Sequence, residues 1–151
     1  MRAIYERVAG LDVHKKVIVA CIRVLLPNGE SQMEKQNFGT MMADLLALSD
    51  WLLLHEISHV AMESTGEYWK PVFNILENNF EVIIVNAQHI SKVPGRKTDQ
   101  SDAEWIAELM QYGLLKASFV PPLGQRELRE LTRYRSTFVR ERATLSNRVQ
   151  K

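Results

Sequence analysis

This chain carries one cysteine, Cys21, so it has no internal disulfide, and a reducing cytoplasm is the expected compartment. It has no apolar run long enough to span a membrane, because Trp51 to Leu54 is cut off by His55 and Glu56. The opening residues 1–7 lack the apolar centre of a secretion signal. Internal repeats and low-complexity stretches are absent. Net charge is small, +1, which argues against a protein that coats nucleic acid by charge alone. That charge is unevenly spread. Residues 126–151 hold eight basic side chains against three acidic, and the rest of the chain holds eleven basic against fifteen acidic. A basic tail on a mildly acidic body points to an anionic partner for the tail.

What is present suits a soluble globular protein. At 151 residues and 46% hydrophobic, the chain is long enough for one self-supporting domain with an appended element. We expect a domain over residues 1–122 and a long basic helix over 123–151. Residues 8–13 and 17–25 read as strands of a hairpin, with Lys15 and Lys16 in the link. Pro27-Asn28-Gly29-Glu30 is a turn, followed by a weaker strand over 32–38. Thr40 suits the cap of a helix over 41–54, where Leu45, Leu48 and Leu52 recur at helical spacing. A short strand over 58–62 delivers Glu63, and a helix starting near Trp69 runs to 79. Residues 81–85 form an apolar run typical of a strand covered on both faces. A helical turn over 86–90 and a basic Pro-Gly loop follow. Thr98 or Asp99 then caps a helix ending near Tyr112, with Gly113 as its stop. This order, a meander and then strand–helix alternation, implies an α/β mixed sheet with flanking helices. Ribonuclease H-like and actin-like nucleotide-binding folds share it.

Asp12, Glu63, Asp99 and Asp102 each fall at an element boundary. In open α/β sheets, sites gather beyond the carboxyl ends of the strands. Carboxylates brought together repel, and hard divalent cations such as Mg2+ or Mn2+ relieve that repulsion. Two such ions can activate the attacking oxygen of a phosphodiester and stabilise the leaving one. Structural roles fit the same residues. Asp99 suits an N-cap, Asp102 a first-turn acid, Glu63 a partner for turn amides and Asp12 a hairpin residue. Asp12 is the hardest to explain this way, because it interrupts an apolar strand.

Four segments carry a family resemblance. They are Gly10-Leu11-Asp12-Val13-His14-Lys15; Met62-Glu63-Ser64-Thr65-Gly66 with Tyr68-Trp69-Lys70-Pro71; Val93-Pro94-Gly95-Arg96-Lys97-Thr98-Asp99 with Asp102-Ala103; and Leu128-Arg129-Glu130-Leu131-Thr132-Arg133-Tyr134-Arg135. Together, in this order, they resemble the N-terminal domain of the DEDD-type insertion-sequence transposases. The resemblance implies a RuvC-like, ribonuclease H-like fold. It implies Asp12, Glu63, Asp99 and Asp102 as catalytic metal ligands, and DNA strand cleavage and transfer as the activity. It also implies a structured guide RNA as a partner. A second domain with a nucleophilic serine would lie beyond this chain, leaving the metal half of a composite site here.

Around the carboxylates, Lys15, Lys16, Lys92, Arg96 and Lys97 are candidates for phosphate contact or a solvated loop surface, with Arg96 and Lys97 favoured by the Pro-Gly loop. His14 and His89 suit structural or DNA-contacting roles better than Mg2+ ligation. Tyr68 and Trp69 can stack on a nucleotide or pack at a helix start. In the last helix Leu131, Phe138 and Leu145 repeat every seven residues, and Arg126, Arg133 and Arg140 do so on another face. Self-association, nucleic-acid contact and packing on a further domain all fit that pattern. Two other functions fit the chain: an actin-like nucleotide-binding domain, from Gly10-Leu11-Asp12 with Lys15, and a non-catalytic nucleic-acid-binding module.

Overall fold

The structure, a computed structural model, describes residues 2–64 and 66–118. The expected break at Pro121-Pro122 and the long helix with Arg126, Arg133 and Arg140 lie outside those residues. The described part contains strands β1 (Arg7–Val13), β2 (Ile18–Leu25) and β3 (Ser31–Phe38), helix α1 (Met42–Leu54), strand β4 (His59–Ser64), helix α2 (Trp69–Leu76), strand β5 (Glu81–Asn86) and helices α3 (Ala87–Lys92) and α4 (Asp102–Gln111).

The five strands form one sheet in the order β3-β2-β1-β4-β5. The meander β1-β2-β3 is antiparallel, and β4 and β5 join parallel to β1 after helical crossovers. The mixed sheet expected from the element order is therefore present. Composition explains its centre. β1, with a single polar position at Asp12 between its ends, sits mid-sheet between β2 and β4, and β3, rich in polar residues, takes an exposed edge.

Strand alternation sorts the core into two faces. Val8, Ala61 and Val85 pack with Trp105, Ile106, Leu109 and Met110 of α4, while α1 and α2 pack with β3, β4 and β5. α4 is pinned at both ends. Ser101 caps it, its Oγ accepting from the Glu104 amide at 3.3 Å. Gln111, fully buried at the other end, accepts from Arg23 Nε at 3.0 Å and Ser31 Oγ at 2.9 Å through its Oε1.

Three boundaries differ from expectation for identifiable reasons. α4 begins at Asp102, because residues 97–100 close a turn (Gln100 N to Lys97 O, 3.2 Å) and Ser101 takes the cap instead of Thr98 or Asp99. Asp99 thus precedes the helix. Thr40 does not cap α1, since its hydroxyl donates to the Lys15 carbonyl at 3.1 Å; Asp44 instead accepts from the Met41 amide at 3.1 Å. α2 ends at Leu76, with Glu77 donating its amide to Phe73 at 2.9 Å and Asn79 closing a turn on Leu76 at 3.2 Å.

Candidate metal centre

The same alternation that builds the core aims the carboxylates. On β1, Asp12 follows Val8 and Gly10 at every second residue, so it faces α4. On β4, Glu63 follows Ala61 in the same way. The parallel register pairs Leu11 with Met62, so Asp12 and Glu63 come one residue later on neighbouring strands. α4 runs back across this face and presents Asp102 at its first residue, where the helix dipole favours an anion. Asp12, Glu63 and Asp102 each offer a carboxylate oxygen, and the three atoms lie within 4.8 Å of one another. Asp99 is exposed in the preceding turn and stands outside this group.

The approach of α4 depends on Gly10. A Cβ built there would strike the Ala103 carbonyl and the Ala107 amide. Gly10 is therefore taken up by helix packing.

Two side chains already engage the carboxylates. His14 Nε2 lies 3.0 Å from Asp12 Oδ2, and Arg96 donates to Asp102 Oδ1 at 2.8 Å. Arg96 also donates to the Gln100 carbonyl through Nε (3.3 Å) and its terminal nitrogen (2.8 Å), which fastens the Pro-Gly loop to the start of α4. Glu63 has neither partner. Burial, and then repulsion from Asp12 and Asp102, pushes its carboxyl above the ordinary range, with His14 and Arg96 partly offsetting this. Three crowded carboxylates, one of them resisting ionisation, make a donor set suited to a hard divalent cation.

Lys15, Lys16 and Lys97 are exposed around this cluster in sequence, on the β1–β2 link and the Pro-Gly loop. The engagement of His14 and Arg96 with the carboxylates is what sequence reading missed. The signal was present, since His14 follows Asp12 by two residues, immediately past the end of β1. Cys21 is not a candidate nucleophile: burial, then the nearby Glu104, pushes its thiol up to about 11.

The model of the IS110-type DEDD transposase family, described as a transposase, matches residues 9–151. The chain belongs to that family. No curated protein sequence matches it. Among solved structures it resembles RuvC of Thermus thermophilus in complex with a Holliday junction substrate, at 12% identity and a TM-score of 0.52, over 76% of this chain and 100% of that one. A second RuvC structure from the same organism matches at 12% identity and a TM-score of 0.52, over 74% of this chain and 99% of that one. At this identity the likeness is one of fold, and the fold is RuvC-like. By its family the chain is a catalytic domain of a DNA transposase, and its acidic cluster is a donor set suited to a divalent metal. Among the described residues no helix is long and apolar enough to cross a membrane.

Proposed function

We propose that Asp12, Glu63 and Asp102, joined by Asp99 from the adjoining turn, hold Mg2+ or Mn2+ and with it cleave and transfer DNA strands during transposition of an insertion sequence. The observation that carries this reading is the meeting of three carboxylate oxygens within 4.8 Å, from three separate elements, at the carboxyl ends of two parallel strands. When bound, the metal would polarise a phosphodiester and lower the pKa of a coordinated water.

The chain's own side chains do the positioning. Asp12 is four-fifths or more buried on a central strand, so its carboxylate direction is set by the sheet. Asp102 is half exposed, which leaves an open side for substrate. Arg96, bound to Asp102, stands where a nucleic-acid phosphate would approach. Lys15, Lys16 and Lys97 add positive charge around the site and would meet the backbone rather than the bases. The RuvC relative bound to a Holliday junction supports DNA as the substrate class. Family membership supports a structured guide RNA as a second partner. The basic heptad pattern of 123–151, with Arg126, Arg133 and Arg140, supports nucleic-acid contact and self-association by that segment as a unit distinct from 1–122.

Titration with Mn2+ tests the reading. Wild-type protein is expected to bind Mn2+ with a metal-dependent rise in melting temperature, and Asp12→Asn and Glu63→Gln to lose both while keeping the native circular dichroism. Undiminished Mn2+ binding by both variants would overturn it.

A further inference from the structure

A second polar pocket, of about 390 Å3, opens beside the last strand of the sheet. Asn86, at the end of β5, forms one wall. Gln88, His89 and Lys92 of α3 form a second. The third comes from the segment after α4, where Lys116 and Ser118 flank Ala117. That segment is held in place by backbone pairing. Ala117 bridges antiparallel to Val85, and the Ser118 amide donates to the Ile84 carbonyl at 2.6 Å. The pocket is therefore built on the sheet, not between loose loops.

Its chemistry is one-sided. Among the described residues, two lysines and a histidine line it, and no acidic side chain does. Neither Lys92 nor Lys116 has an ion-pair partner among the described residues, although Lys35, Lys70 and Arg96 all have one. Among the described residues His89 Nε2 is buried and has no hydrogen-bond partner. A buried, unsatisfied ring nitrogen costs free energy unless something fills its place. Asparagine, glutamine and serine add neutral donors around the two lysines. Such a set fits an oxyanion bearing several acceptor oxygens.

Position narrows the ligand. β1, β4 and β5 run parallel, so Asp12, Glu63 and Asn86 all lie toward the same edge of the sheet. Glu63 pairs in register with Val85, the residue immediately before Asn86. Neighbouring strands are about 4.8 Å apart, so the pocket begins one strand away from the carboxylate cluster. A nucleic-acid strand crossing this edge to reach the cluster would pass the pocket. We infer that the pocket formed by His89, Lys92 and Lys116 binds a phosphate group of a nucleic-acid strand whose neighbouring linkage lies at the carboxylate cluster. The inference deepens the proposed function and rests on it for the identity of the strand, but the pocket's affinity for phosphate stands by itself.

The test uses the isotopically labelled chain, observed by NMR, with three probes: inorganic phosphate, a nucleoside 5′-monophosphate, and a short single-stranded oligonucleotide with either a 5′-hydroxyl or a 5′-phosphate. All three are expected to shift the His89 ring and the Lys92 and Lys116 signals. Equal binding of the two oligonucleotide forms identifies an internal backbone phosphate; dependence on the 5′-phosphate identifies a terminal one and overturns the backbone assignment. Lys92→Gln/Lys116→Gln is expected to weaken oligonucleotide binding and to reduce the slope of log K against log salt by about 1, with Mn2+ binding unchanged. Glu63→Gln is expected to do the reverse, losing Mn2+ while keeping the slope. Signals at His89, Lys92 and Lys116 that no probe moves, or a slope that the double substitution leaves intact, would refute the pocket without touching the metal centre. Loss of Mn2+ binding in wild type with the slope effect preserved would refute the metal centre alone.

Discussion

Gly10 and Ala107 meet backbone to backbone, with no space for a Cβ between β1 and α4. This contact fixes how far Asp102, at the head of the helix, stands from Asp12, two residues along the strand. Ala103 on the same helix face completes the close approach.

Gly10→Ala is therefore expected to push α4 off the sheet. Overpacking of this kind costs about 1–3 kcal/mol. The loss should appear as a lower melting temperature, together with weaker Mn2+ binding, because the carboxylates separate. A substitution that left both unchanged would show that the helix can shift freely and that the site does not depend on this contact.

Glu63 governs the pH response. Its folded-state pKa lies above the ordinary carboxylate value, so the folded protein holds that proton more tightly than the unfolded chain. The stability associated with the protonated form is fully present below the unfolded pKa and is lost as pH rises through the folded one. At neutral pH the ionised Glu63 thus works against the metal-free fold. Glu63→Gln is expected to raise the melting temperature of metal-free protein at pH 7, with the gain disappearing below about pH 4, under the ordinary carboxylate pKa. Added Mn2+ should reverse the ranking, stabilising wild type alone. Melting curves across pH, with and without Mn2+, give the answer; a wild type more stable than Glu63→Gln in chelator at pH 7 would contradict it.

The cap of α4 can be weighed separately from the charges. Ser101 offers its hydroxyl oxygen to the Glu104 amide. Ser101→Ala should cost about 1 kcal/mol, within the 0.5–2 kcal/mol typical of caps. Ser101→Asp should recover most of that loss. Chemical denaturation of the three proteins measures it, and an Ala variant as stable as wild type would mean the helix start is held by packing alone.

These residues also show what the sequence made legible. The strands were readable from β-branched runs and the turn at Pro27-Asn28-Gly29-Glu30, because sheet patterning is local. Asp12 and Glu63 were readable because each breaks or closes an apolar strand. Helix starts were less so. Thr40, Thr98 and Ser101 are chemically similar caps, and tertiary contacts chose among them: Thr40 turned to the Lys15 carbonyl, leaving Asp44 to close the start of α1. Asp99 and Asp102 share a helical spacing in the sequence, yet the turn at 97–100 takes Asp99 out of the helix. The pairing of His14 and Arg96 with the carboxylates depended on side-chain approach across elements. The role of Gly10 depended on a helix nearly a hundred residues away, and no local pattern encodes that distance.

Arg96 connects the metal centre to its substrate. Its guanidinium pairs with Asp102 at 2.8 Å, where it competes with any cation for that carboxylate. Both side chains are more than a third exposed, so the pair is worth at most about 1 kcal/mol, or about fivefold in an equilibrium constant. Arg96→Gln is accordingly expected to tighten Mn2+ binding by up to about fivefold in the absence of nucleic acid. The same change removes a cation facing the incoming strand, so oligonucleotide affinity should fall and its salt dependence flatten by about 1 in slope. Arg96→Lys should keep the salt slope, since the charge remains, but lose the fastening of the loop through the Gln100 carbonyl. Calorimetric titration of Mn2+ and salt-dependent oligonucleotide binding, run on the same three proteins, separate the two effects. If Arg96→Gln weakens Mn2+ binding instead, the arginine holds Asp102 in place for the metal and does not compete with it.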